Sequence, residues 1–220
     1  MSDARRVLRG GGRTALVLGL AMTALRSLAS DPGEPTLAEE AAFRAAVARV
    51  AAAVVRIEPV ASAEAPAAGE AAVGSGPSTG LIVASDPDAT WILTTAFAVP
   101  GDVSEAVVVG GDGGRQAARV AGRDASRGLV LLQTRAGTDP PALEPVPRRE
   151  LAPGQWAIAV GRGWEQEAPS VAVGVVSAVD RAWGRAVQTD ASVSPANYGG
   201  PLVDIAGRVI GILAPLPADT

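Results

Sequence analysis

The sequence predicts an all-β chain organised as two barrels and preceded by one short helix. Three observations carry that expectation. Short runs rich in Val, Ile and Leu recur at near-even spacing with Gly-containing turns between them, and no long helical period interrupts them. A proline-rich stretch, AGTDPPALEPVPRRE (136–150), divides the runs into two sets. Aromatic residues make up only 3% of the chain, so the core must be assembled from Val, Ile, Leu and Ala, and branched residues suit strands.

In chain order, residues 1–30 read as an export signal. Arg5, Arg6, Arg9 and Arg13 precede an apolar run from Thr14 to Leu25, and Ser27-Leu28-Ala29 supplies a small-x-small site. The run is short of the roughly 20 residues that a membrane span needs. Arg26 weakens the cleavage site, so an uncleaved anchor that tethers the chain through residues 14–25 is the alternative; a twin-arginine signal and a buried N-terminal helix are weaker readings. Residues 31–53 form a linker and a helix predicted from Thr36 to about Val54. Thr36 and Glu39 make a capping box, and Phe43, Val47 and Val50/Ala51 make one stripe. Glu39 and Glu40 favour the dipole at the start of that helix.

The first barrel is expected over about 54–135. Its strands are VVRIEPV (54–60), TGLIVAS (79–85), TWILTTAFAV (90–99), EAVVVG (105–110), QAARVAGR (116–123) and GLVLLQT (128–134). Residues 61–77 read as a surface loop, and GGDGG (110–114) as a hairpin turn. After the 136–150 connector, the second barrel is expected over about 151–216. It comprises QWAIAVG (155–161), SVAVGVVSAV (170–179), RAVQTD (185–190), GGPLVDI (199–205) and RVIGIL (208–213). Trp156 reads as strand core, whereas Trp164 and Trp183 fall in or near loops, where each is expected to be partly buried and is the better candidate for an exposed contact surface.

Composition removes several chemistries. The chain has no histidine, the usual general base for a serine or cysteine nucleophile. It has no cysteine, which excludes disulfides, iron–sulfur ligation and ordinary zinc sites. No segment reads as an EF-hand loop, so no cofactor or metal is expected. A net charge of −4 argues against a nucleic-acid partner. GSGPSTG (74–80) lacks the Lys-Ser/Thr and the helix that a phosphate loop requires.

The stretch TDASVSPANYGGPLVDIAGRVIGI (189–212) resembles the nucleophile region of HtrA/Deg-type serine proteases, TDA-x-x-N-P-G-N-S-G-G-P-L followed by a hairpin into V-I-G-I. WILTTAFAV (91–99) is similar to the family's ILTNNHVV strand, and RVAGRDASRGLVLLQ (119–133) to its G-x-D-P-x-T-D-L-A-V-L segment. LAPGQWAIAVG (151–161) and VAVGVVSAVDR (171–181) resemble the two strands that precede the nucleophile loop. The resemblance covers about residues 38–214. It implies a chymotrypsin/trypsin-like double β-barrel of the PA clan, with no PDZ domain of the kind that commonly follows in the family.

The same resemblance places the family's general base at Phe97, its buried aspartate at Gly128 and its nucleophile at Tyr198. The oxyanion-loop glycine falls on Ala196, followed by Asn197. Asp124 matches the first aspartate of its segment, and Asp190 is expected to hydrogen-bond backbone. A triad works as a unit, so this pattern implies a pseudoprotease with no catalytic residues. Phe97 and Tyr198 are expected to face each other and pack ring on ring. The implied role is to bind a protein or peptide partner, such as an active protease relative, in the periplasm or at the inner membrane. The alternatives are a structural or membrane-tethered module with a closed cleft, and an active endopeptidase using substitute residues. Oligomeric state is left open.

Overall fold

The computed structural model describes residues 37–59, 76–137, 142–163 and 168–215. The leader (1–30), the Thr36 cap, Trp164 and most of the 61–77 loop lie outside the described residues. Contacts divide the chain into residues 1–39 and 40–220. Of the first unit only residues 37–39, the start of a helix, are described. No helix among the described residues is long and apolar enough to cross a membrane.

The helix α1 (Leu37–Val50) is shorter than expected. Ala51–Ala53 tighten into a 3₁₀ turn, and the β-branched pair Val54-Val55 opens β1 (Val54–Pro59). Ala46 and Val50 are buried, and Phe43 and Val47 pack partly against the same core. Five further strands follow: β2 (Ser78–Ser85), β3 (Ala89–Thr95), β4 (Glu105–Val109), β5 (Arg115–Asp124) and β6 (Leu129–Arg135). They pair antiparallel in the order β1-β2-β3-β6-β5-β4, and β1 closes the barrel on β4. The GGDGG hairpin joins β4 to β5, with the Gly110 N–H donating to the Gly114 carbonyl at 2.9 Å.

The second set is β7 (Trp156–Gly161), β8 (Ser170–Asp180), β9 (Ala186–Thr189), β10 (Pro201–Val203) and β11 (Val209–Ile212). It forms a five-stranded sheet, β11-β10-β7-β8-β9, curled over its own core. The two barrel-like sheets make the expected double β-barrel. Ile57, Leu81, Ile92 and Leu132 fill the first barrel and are at most 1% exposed. Burying side chains of this size contributes about 1.5–3 kcal/mol each. Ile158, Val160 and Val203 of the second sheet join the same cluster, so one apolar core runs between the sheets.

Three expectations are corrected. The strand expected over 90–99 ends at Thr95, and Ala96–Val99 turn instead, with the Ala98 and Val99 N–H groups both donating to the Thr95 carbonyl. The strand expected from Gly199 begins at Pro201, because Gly199 takes φ +89°. Trp156 is 40% exposed, not strand core. It opens β7 at the rim of the sheet and packs edge-to-face on Phe43, ring centroids 5.2 Å apart at 76°.

Candidate functional site

Three segments converge around Tyr198. The first is the turn after β3, which carries Phe97. Pairing of β3 with β6 runs as far as Thr95 opposite Leu129, and one residue further the Ala96 N–H donates to the Gly128 carbonyl at 2.8 Å. The register of two strands therefore fixes Gly128 beside the turn that carries Phe97.

Gly128 closes the β5–β6 turn DASRG with φ +63°. The turn is organised by Asp124, whose Oδ1 accepts from the Ser126 N–H at 2.9 Å and its hydroxyl at 2.6 Å. Oδ2 pairs with Arg127 Nη1 at 2.8 Å. The Ser126 hydroxyl, and after it Arg127, holds the Asp124 carboxyl down to about 2. Asp124 is thus spent on its own turn. No atom lies within 4 Å of the place a Cβ on Gly128 would occupy, so the position is open.

The third segment is the loop Ser194–Gly200. Pro195–Asn197 form a 3₁₀ turn capped reciprocally by Ser194 and Asn197. Asn197 is buried: its Oδ1 accepts from the Ser194 N–H at 3.0 Å and hydroxyl at 3.1 Å, and its Nδ2 donates to the Ser170 hydroxyl at 3.0 Å. Ala196 is buried too and keeps a negative φ. The Tyr198 N–H donates to the Pro195 carbonyl at 3.2 Å. An oxyanion hole needs such an amide aimed at the reacting carbonyl. Here that amide is spent inside the loop.

Hydroxyls of the first barrel hold the loop from beneath. Ser78 donates to the Tyr198 carbonyl at 2.7 Å, and Thr79 donates to the Ala196 carbonyl at 2.7 Å. The Thr79 hydroxyl also accepts from the Arg162 N–H at 2.7 Å, and Thr94 donates to the Thr79 carbonyl at 2.7 Å. Ser78, Thr79 and Thr94 are fully buried. From sequence alone, Thr79 and Thr94 fall in expected strands and Ser78 only in the GSGPSTG stretch, with no role for the three hydroxyls; small hydroxyls at buried positions were the available signal. Gly199 lies so close that a Cβ there would overlap the Thr79 carbonyl oxygen.

The rings of Phe97 and Tyr198 then meet, half-buried, with centroids 5.3 Å apart and planes at 86°. The structure thus brings together Phe97, Gly128, Ala196, Asn197 and Tyr198. Asp190 lies on β9's outgoing chain, accepting from the Val175 N–H at 2.7 Å, a backbone role. Trp183 stands apart on the β8–β9 turn and is 83% exposed, not partly buried as expected, because the turn holds it at φ +55° outside the sheet; the Arg185 guanidinium lies 5.8 Å from its ring centre. Among the described residues, no three acidic, His or Cys side chains cluster as metal ligands. A phenol against a phenyl ring has no base to activate it.

Comparison with known proteins gives this geometry a family. The trypsin-like peptidase domain matches residues 78–212. HhoB of Synechocystis sp., named as a serine protease, is 33% identical over 153 residues, 66% of this chain and 35% of that protein. A protein of Pseudomonas fluorescens described as a probable periplasmic serine endoprotease, DegP-like, is 33% identical over 141 residues, 61% of this chain and 28% of that one. A solved structure of the HtrA-type protease AlgW with a tripeptide superposes with a TM-score of 0.62 at 26% identity, covering 77% of this chain and 53% of the other. The chain spans about a third of the length of the curated relatives it matches. On these grounds the chain belongs to the trypsin-like peptidase domain family, in its HtrA/Deg-type branch.

Proposed function

We propose that this chain is a catalytically inactive HtrA-type homologue that acts outside the cytoplasm by binding a protein or peptide partner. The observation that carries the reading is the edge-to-face contact of Phe97 and Tyr198 at the positions where the family resemblance puts base and nucleophile, in a chain without histidine. Phe97 has no atom that accepts a proton, Gly128 has no side chain, and the Tyr198 amide is engaged with Pro195. Losing a complete triad costs on the order of 10⁶ in turnover, and what remains depends on binding and an oxyanion hole. The basic and apolar leader at residues 5–25 supports export, as does the periplasmic description of the Pseudomonas relative.

The edge-to-face packing of Phe97 and Tyr198 supports a second form of the same idea, in which the cleft is closed, the partner is bound elsewhere and the chain serves as a tethered interaction module. A fluorophosphonate probe, which captures activated hydroxyls, tests the shared premise. The native chain should stay unlabelled beside a labelled active protease, and specific labelling at Tyr198 or any serine would overturn the proposal.

A further inference from the structure

The turn between β8 and β9 displays a tryptophan on a strained backbone. Asp180, Ala182 and Trp183 take φ +66°, +48° and +55°, and Gly184 follows at +78°. Side-chain-bearing residues in the left-handed region are costly, a bulky one most of all, and they persist only where surrounding contacts hold them. Those contacts are present here. Arg181 pairs across to Ala186, and the Arg185 N–H donates to the Arg181 carbonyl at 3.1 Å. From the end of the connector, Arg148 Nη1 donates to the Gly184 carbonyl at 3.1 Å. Burial of the ring would be the ordinary return on such strain, yet Trp183 is 83% exposed. The conformation holds the indole out from the sheet.

The charges around the ring are unbalanced. Arg148 pairs with Asp180, and Glu150 pairs with Arg208 at 3.0 Å. Arg181 and Arg185, both exposed, bond only neutral groups among the described residues. Arg181 Nε donates to the Gln188 side-chain oxygen at 3.0 Å, and Arg185 Nε donates to the Ala182 carbonyl at 3.3 Å. The Arg185 guanidinium lies 5.8 Å from the Trp183 ring centre. The turn is thus a basic, aromatic tip on a chain whose net charge is −4. A ring exposed to this degree stands proud, whereas the anchor pocket for a small ligand is concave. A flat anionic surface needs no groove. Indole seats at the headgroup level of a bilayer with its N–H wet, and guanidinium matches phosphate oxygens at two points.

We propose that the β8–β9 turn docks on an anionic lipid bilayer, with Trp183 entering the interface while Arg181 and Arg185 bind lipid phosphates. The stacked Arg185 carries its charge to the surface along with the ring. Attraction of each guanidinium to the bilayer falls off within a Debye length, so the contact is salt-sensitive. One aromatic and two cations give reversible attachment, since stable anchoring takes a second signal. The inference deepens the tethered form of the reading above, on which it rests for proximity to a bilayer. It uses no residue of the Phe97–Tyr198 site.

Fluorescence of the full chain tests it. The sequence has four tryptophans, so subtracting the Trp183→Phe spectrum isolates the emission of Trp183. Vesicles of phosphatidylcholine and phosphatidylglycerol in equal parts should shift that emission to shorter wavelength, and brominated acyl chains should quench it. Vesicles of phosphatidylcholine alone should do neither, and added salt should reverse the effect. Arg181→Gln with Arg185→Gln should raise the lipid concentration needed for the shift by about tenfold or more. The two vesicle types compared on the native chain keep the test decisive even if the double variant misfolds. Trp183 emission unmoved by anionic vesicles would overturn the proposal, even where the leader captures the chain. So would emission already shielded in the free chain, because another segment would then cover the turn. A shift with soluble polyglutamate but not with vesicles would replace the bilayer by an acidic protein. Fluorophosphonate labelling reports on the inactive-protease reading separately, so the two fail independently.

Discussion

The amide of Ala96 donates to the carbonyl of Gly128 at 2.8 Å, and this bond decides how the candidate site is assembled. It extends the β3–β6 ladder by one residue and fixes the turn that carries Phe97, whose ring packs edge-to-face with that of Tyr198. Strand register is conserved information in a barrel: it keeps three positions together whatever side chains they carry. Side-chain changes at 97, 128 and 198 would therefore leave the three positions together.

The Phe97–Tyr198 contact should be measurable as a coupling. In a double-mutant cycle of Phe97→Ala and Tyr198→Ala, each single change should destabilise, and the interaction energy should be about 0.5–1.5 kcal/mol. Chemical denaturation of the four proteins checks this, and strict additivity would show that the rings do not support each other.

Two glycines should behave oppositely. Gly199 has φ +89° and stands against the Thr79 carbonyl, so Gly199→Ala should cost upwards of about 3 kcal/mol. Gly128 has φ +63° with open space around it, so Gly128→Ala should cost only about 1–2 kcal/mol. Thermal unfolding of the pair separates close approach from backbone conformation alone.

Thr79 is the hinge pin beneath the loop. Thr79→Val keeps the shape but removes a hydroxyl that donates to Ala196 and accepts from Arg162. Leaving those buried groups unsatisfied should cost about 1–3 kcal/mol. Faster exchange of the 196–198 amides should accompany the loss.

Asp124 supplies a pH signature. Its folded carboxyl is held down to about 2 against an ordinary value of 3.8, so its contribution is present above about pH 4 and is lost as pH falls toward 2. The side chain is exposed, and the effect should be small. Asp124→Asn should lower the melting temperature slightly at pH 7, with the gap to the native chain closing between about pH 4 and 2. A gap that stays constant over that range would mean that the carboxylate charge is irrelevant.

Much of this architecture is legible in the sequence because strands report themselves locally. The alternation in β1 and the run Ile92–Leu93 opposite Leu131–Leu132 mark barrel strands, and the GGDGG turn marks its hairpin. Residues 97, 128 and 198 are locatable because the segments around them keep a family pattern. What stays hidden depends on distant partners. The grip of Ser78 and Thr79 on Tyr198 and Ala196 spans well over a hundred residues. Gly199 looks like the start of a strand until the Thr79 carbonyl is seen against it. Trp156 reads as core by pattern, yet it opens β7 at a rim.

Rebuilding the site tests how far it has drifted. Phe97→His, Gly128→Asp, Ala196→Gly and Tyr198→Ser together should fold, since an aspartate tolerates the left-handed backbone at 128 and the space there is free. Peptide cleavage by this variant would show that the loop relaxes once Ala196 is gone. An inert variant would show that the engaged 198 amide persists.

The most direct measurement is turnover of casein by the native chain beside its Tyr198→Ala variant. The account predicts that neither protein cleaves above the uncatalysed background. Turnover by the native chain that disappears in Tyr198→Ala would contradict it.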